Sequence, residues 1–197
     1  SSCKKDEINP DKNFSVDVFY ENMHTLTLEV AYEEGAEPHT TTVTGNKTWA
    51  FTESNLEGLF AQRPQPIDFL VPRELNGMTF IPDQNKPSYR VSDIKNLTNS
   101  FRTLPFTPEH GTFFVLFLNG YYRDDDSVRQ NILGVHLTGT TIVALFKPVI
   151  ENSNLSLTIR QFVEQSVLIH EIGHGVGLVK NGLPTASAHH DSAHPSH

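Results

Sequence analysis

The chain has 197 residues, of which 37% are hydrophobic and 19% are charged, a composition typical of one ordinary globular domain. Its formal net charge is −8 and its fifteen Lys and Arg residues are scattered, which argues against a nucleic-acid partner. No apolar run approaches the roughly 20 residues that a membrane-spanning helix needs.

The first segment, residues 1–13, is polar and carries the only cysteine, Cys3, within SSCKKDE. One cysteine excludes an internal disulfide and a cysteine-based zinc site. Small residues before a cysteine and charged residues after it resemble the processing site of a bacterial lipoprotein, in which the thiol is acylated. We therefore predict a flexible lipoprotein-type tether over 1–13 and a lipid-anchored protein of the bacterial cell envelope or surface, with secretion or an exposed free thiol as alternatives.

Alternation in HTLTLEVAY predicts a half-buried strand, with an apolar face made by Leu26, Leu28, Val30 and Tyr32. ESNLEGLFAQR then predicts a short helix, and IDFLVP a second strand that Pro72 stops.

A second helix is predicted over SDIKNLTNSFRTL, behind the capping candidates Ser92 and Asp93. Its apolar residues recur at helical spacing: Ile94, Leu97, Phe101 and Leu104. TFFVLFLNG is nearly all apolar, as expected of a central strand covered on both faces. ILGVHL and TTIVALF flank a hairpin turn at Thr138-Gly139.

A last, long helix is predicted from about Leu157 to Gly177, with capping-box spacing between Thr158 and Gln161. The residues expected to anchor it in the core are Phe162, Ile169, Ile172 and Val176. This order of elements predicts one α/β (α+β) domain over 14–197, with helices packed on a mixed sheet.

The long helix carries HEIGH, in which His170 and His174 are four residues apart and project from one face. Two imidazoles one turn apart can bind one Zn²⁺ ion, and Glu171 beside them can take a proton from metal-bound water and deliver it to a leaving amine. The alternative is a chance pair of structural or surface histidines. Other histidines, namely His24, His39, His110 and His136, are predicted to be structural or exposed rather than ligands.

A catalytic zinc also needs a third protein ligand. Lys180 stands where the long HExxHxxGxxH pattern would place it, and an ammonium has no lone pair to offer. Gly177 permits a sharp turn that ends the helix, so the loop beyond it can supply the ligand. That loop offers His189, His190, Asp191, His194 and His197, unless it is a metal-scavenging tail.

HEIGHGVGL, followed by an Asn-Gly turn and a His/Asp-rich loop, resembles the metzincin clan of zinc metalloproteases, and most closely the archaemetzincin-like proteases of bacterial membranes and lipoproteins. The resemblance implies a zincin-like twisted mixed sheet, a C-terminal active-site helix, and an extended substrate paired with a sheet-edge strand. It also implies His197 as the third zinc ligand. Because a ligand at the last position of the chain would be poorly fixed, His189 is the reserve candidate and His194 the third. The Cys and Met-turn that follow this ligand in the family are absent after His197, so we expect a C-terminally trimmed or divergent domain.

The leading hypothesis is a monomeric zinc endopeptidase that acts on proteins or peptides. One alternative is a surface lipoprotein that captures zinc or nickel through the His-rich loop without catalysis. Another is a structural module in which four protein ligands close the zinc site. Glu171 favours the first, because capture needs no general base.

Overall fold

The computed structural model describes residues 14–178. The predictions that fall outside this range concern the tether over 1–13 with Cys3, and the loop with Lys180, Gly182, His189, His190, Asp191, His194 and His197. In the described part of the chain, no helix is long and apolar enough to cross a membrane.

Four helices are described: α1 (Trp49–Phe60), α2 (Val91–Phe101), α3 (Lys147–Glu151) and α4 (Leu157–Gly175). The strands are β1 (Thr25–Glu33), β2 (Asp68–Leu70), β3 (Thr79–Ile81), β4 (Ser88–Tyr89), β5 (His110–Leu118), β6 (Tyr121–Asp124), β7 (Ser127–Arg129), β8 (Gly134–His136) and β9 (Ile142–Phe146). Two short 3₁₀ turns lie at Val16–Phe19 and Leu75–Gly77.

The main sheet has six strands in the order β2-β1-β5-β9-β8, and β3 pairs with the same edge of β1 as β2 does. Every pairing in it is parallel except that of β8 with β9. A small second sheet has the order β4-β6-β7. The predicted mixed sheet with packed helices is therefore confirmed at the level of an α+β architecture.

Strand β5 is the centre of the core, between β1 and β9. All of its residues after His110 are buried, as the apolar run predicts. Alternate side chains enter two apolar clusters on opposite faces of the sheet. One cluster contains residues of α1 and α4, and the other contains residues of α2, so the sheet is covered on both faces.

Strand β1 is half-buried along its first part, with Leu26, Leu28 and Val30 inside, as predicted. At its carboxyl end the pattern changes, because Ala31 and Glu33 on the opposite face are buried too. The carboxylate of Glu33 accepts hydrogen bonds from the Tyr89 hydroxyl and from two backbone N–H groups, which explains how a charge is tolerated there.

The N-cap of α2 lies two residues before Ser92, the first of the two predicted capping residues. Arg90 is the N-cap, and the Asp93 carboxylate reaches back to accept a hydrogen bond from the Arg90 N–H at 2.9 Å, so Ser92 lies inside the helix. Leu104, predicted to continue the apolar stripe, lies beyond the helix and is 41% exposed.

Helix α4 begins at Leu157, as predicted, but its cap and the burial of one predicted core residue differ from the prediction. Ser156, not Thr158, is the N-cap, since its side chain accepts a hydrogen bond from the Ile159 N–H. Phe162 is 59% exposed rather than in the core, and its ring packs on that of Phe51 with centroids 5.3 Å apart. Ile172 is buried as predicted.

Candidate metal centre

His170 and His174 lie in the last two turns of α4 and face each other. Their Nε2 atoms are 3.1 Å apart, and their ring planes are nearly perpendicular at 87°. Two imidazole nitrogens bound to a tetrahedral zinc at about 2.0–2.1 Å would lie roughly 3.3 Å apart. The spacing of the two nitrogens is therefore compatible with two ligands of one metal ion, and His170 is exposed to solvent.

The chain turns sharply just after this pair, as the glycine at position 177 predicts. Gly177 has a φ of +77°, in the left-handed region. Its N–H donates to the His174 carbonyl at 3.2 Å, and the Leu178 N–H donates to the Gly173 carbonyl at 3.0 Å. These two bonds make a Schellman motif, so the helix ends at Gly175, one residue beyond His174.

Glu171 points from α4 toward strand β8 and is only 9% exposed. A Cβ placed at Gly134 would lie 3.2 Å from its Cγ, so glycine there permits the close approach. Burial raises the pKa of Glu171 from the usual 4.5 to about 7, although a hydrogen bond from the His136 backbone opposes this shift. A carboxyl group that titrates near neutral pH can both accept and release a proton.

Strand β8 presents part of its backbone away from the sheet. The Leu137 N–H donates to Ile142 and the Phe146 N–H donates to Leu133. Because hydrogen-bonded pairs alternate along an antiparallel ladder, the peptide groups of Gly134 and His136 are directed away from β9. The helix with the paired histidines thus lies beside a sheet edge with outward-facing backbone groups.

The His136 side chain braces the hairpin, in agreement with the predicted structural role. Its Nε2 lies 2.7 Å from the Thr140 carbonyl, which can only accept, so Nε2 carries the hydrogen. The ring also lies against α4, because a Cβ at Gly175 would be 3.2 Å from Nε2. The place of His136 next to Glu171 could not be predicted from the sequence, because it depends on how the hairpin packs against α4.

Within residues 14–178, side chains that could share a metal ion in groups of three or more form one cluster: His39, Glu151 and Glu164, with ligand atoms within 4.8 Å of one another. The cluster does not include His170 or His174. No described residue therefore completes the histidine pair, and the predicted third ligand His197, like its reserve His189, stays a prediction.

This second cluster already contains a cation. The Lys147 ammonium lies 2.5 Å from Glu164, 2.8 Å from Glu151 and 3.4 Å from the Nδ1 of His39. Lys147 is 3% exposed and Glu164 is fully buried. The group could hold a metal ion only if the ammonium left, so we interpret it as a buried ion-pair cluster that joins α3, α4 and the loop before α1.

Comparison with protein-family models, with curated proteins and with solved structures finds no match to this chain. The resemblance to metzincins therefore rests on the motif residues alone.

The ion-pair cluster gives a first prediction. Lys147→Met would leave the buried carboxylate of Glu164 without its main counter-charge, and should lower the free energy of unfolding by about 3–5 kcal/mol. Lys47→Met, which removes an exposed ion pair with Glu74, should change it by less than about 1 kcal/mol. Urea denaturation of both variants measures this, and equal effects would contradict the structural role of the cluster.

A second prediction concerns the pH dependence of the metal-free protein. The pKa of Glu171 is about 7 in the folded protein and 4.5 in the unfolded chain. As the pH rises, the unfolded chain therefore loses this proton first. The free energy of unfolding should fall between pH 4.5 and pH 7. Glu171→Gln cannot lose a proton, so it should be more stable than the parent above pH 7, by up to about 3 kcal/mol.

Below about pH 4.5 the two proteins should be equally stable, because Glu171 is then protonated in both states. Urea denaturation across this range, with a chelator present, measures the difference. Glu57→Gln, which neutralises an exposed glutamate of α1, is the matched control. A difference that does not vary with pH, or that favours the parent at pH 8, would refute the assigned burial effect.

Proposed function

We propose that the protein is a zinc-dependent endopeptidase that hydrolyses peptide bonds in protein or peptide substrates. The observation that carries the proposal is the pair of Nε2 atoms of His170 and His174, 3.1 Å apart beside the buried Glu171. A pair of structural histidines would not need an acidic residue of raised pKa at its side.

In this proposal His170 and His174 bind Zn²⁺ together with a third ligand from the loop beyond the described residues, His197 by family register or His189. When bound, zinc would supply Lewis acidity toward water and toward the substrate carbonyl. The exposed position of His170 is compatible with access for both.

Glu171 has the proton-transfer role. It takes a proton from the attacking water and later delivers it to the leaving amine. A pKa of about 7 in the metal-free protein suits both steps, and a bound cation would favour the ionised form that starts the reaction.

Strand β8 is the proposed substrate edge. The resemblance implies that an extended peptide pairs with an edge strand. The backbone groups of Gly134 and the carbonyl of His136 are directed away from β9. Main-chain pairing of this kind gives affinity with little sequence preference.

The same proposal includes a lipid-anchored or secreted, monomeric protein, with any membrane contact made through a lipid on Cys3. A lipoprotein that captures zinc or nickel without catalysis remains the second hypothesis. The endopeptidase hypothesis requires Glu171 to transfer protons, and the metal-capture hypothesis does not.

The zinc ligands give a third prediction. The protein should bind about one zinc ion tightly, and His170→Ala combined with His174→Ala should abolish stoichiometric binding, since it removes both donors. Metal analysis after dialysis measures this. The matched control is His24→Ala with His110→Ala, which removes two exposed histidines elsewhere and should bind zinc like the parent. Zinc that persists in the first double variant would exclude this site.

The general base gives a fourth prediction. Glu171→Gln should retain zinc but cleave a mixed-peptide library about 100-fold more slowly, or worse, because a positioned base typically contributes this much. Glu57→Gln should cleave at the parent rate. Zinc binding without cleavage by the parent would favour the capture hypothesis, and equal cleavage by Glu171→Gln and the parent would rule out the mechanism.

A further inference from the structure

The end of α4 is held by a segment far away in the chain. We define the N-terminal brace as residues 16–20, which comprise the first 3₁₀ turn and Tyr20. The Tyr20 hydroxyl donates a hydrogen bond of 2.9 Å to the carbonyl of Val176, the C-cap of α4. This carbonyl belongs to the last turn, where the helix has no further N–H groups of its own to offer.

A second contact of the brace reaches the turn itself. A Cβ at Gly177 would lie 2.7 Å from Cγ1 of Val16, so the brace lies directly against the backbone there. Gly177 is also the residue whose N–H donates to the carbonyl of His174. The brace therefore touches both residues that follow the helix end, Val176 and Gly177.

The brace is anchored in the core rather than resting on the surface. Phe19 is fully buried and stacks on Phe113 of β5, with ring centroids 5.6 Å apart and planes at 17°. Phe113 in turn packs against α4, since a Cβ at Gly175 would lie 2.5 Å from its ring. The sheet, the brace and the last turn of α4 thus form one continuous packed unit.

We propose that Tyr20 is a positioning residue for the metal centre. Its bond to Val176 holds the last turn of α4, which carries His174, in the orientation that brings the Nε2 of His174 to 3.1 Å from that of His170. The inference rests on the proposed function, since it concerns the affinity of that same site for zinc.

The test is zinc affinity, measured by competition with a chromogenic chelator, for the parent, Tyr20→Phe and Tyr121→Phe. Tyr20→Phe keeps the ring and removes only the hydroxyl, and should bind zinc more weakly by up to about fivefold, because the free energy of one net hydrogen bond is the most that losing this restraint can cost. Tyr121→Phe also loses a hydroxyl contact, that with Asn152 at the C-cap of α3, and should bind like the parent. Thermal melting in chelator checks that both variants fold.

A second pair of variants tests the contact between the brace and the turn at Gly177. Gly177→Ala and Gly139→Ala place a side chain at similar positive φ, +77° and +75°, but only position 177 has Val16 in the way. Gly177→Ala should therefore weaken zinc binding more than Gly139→Ala does. Adding Val16→Ala to Gly177→Ala removes the Cγ atoms that clash and should restore part of the affinity.

Tyr20→Phe that binds zinc as tightly as the parent, Tyr121→Phe that is weakened equally, or a failure of Val16→Ala to restore any affinity would each overturn the positioning role. These results leave the proposed function intact, because the parent still binds zinc. A parent that binds no zinc would overturn the proposed function and this inference with it.

Discussion

The close approach of α4 to the sheet is the constraint on which the site depends. At two contacts between α4 and the strands, the space admits a glycine but no side chain. A Cβ at Gly134 would lie 2.7 Å from Val167, and one at Gly175 would lie 2.5 Å from Phe113. Real Cβ atoms do not approach so closely, so a larger residue at either position would force the facing side chain, or the helix itself, to shift. We expect a shift of the helix to move it away from β8. Glu171 would then lose its burial and its contact with the strand together.

The short distance between α4 and the sheet does not fix how the helix is rotated about its own axis. Polar contacts in the N-terminal half of α4 set that rotation. Gln161 donates to the Thr41 carbonyl, and Gln165 accepts from the Thr52 hydroxyl. Glu164 accepts from the His39 backbone and holds the Lys147 ammonium. Because each buried polar group needs its partner, a turn of the helix by one residue would leave several of them unsatisfied. The rotation that satisfies them also turns the two histidines toward solvent.

Structural features that depend only on residues close together in the sequence could be predicted from it. The apolar run of β5, the Thr138-Gly139 hairpin and the i, i+4 spacing of the two histidines each depend on neighbours within a few residues. The errors concern contacts between distant segments. Phe162 has the hydrophobicity of a core residue, but the face of α4 that is buried there is polar, and it is matched by residues more than 100 positions away.

In the candidate site, too, the local features could be predicted from the sequence and those that depend on distant segments could not. His170, Glu171 and His174 could be named from their spacing, but the raised pKa of Glu171 could not, because it follows from the position of β8. The buried Lys147 and the brace at Tyr20 left no signal in the sequence, since a lone lysine or tyrosine is compatible with an exposed site.

The environment of Glu171 has a consequence for folding. Keeping a carboxyl group in a site that raises its pKa to about 7 destabilises the metal-free fold at neutral pH. A cation bound by the adjacent histidines would offset that penalty, since a ligand that binds only the folded state stabilises it in proportion to the logarithm of its concentration. Under the proposed function, the group that makes the metal-free protein less stable is therefore the one that performs proton transfer. Metal binding and stability at neutral pH should then be coupled through this single side chain.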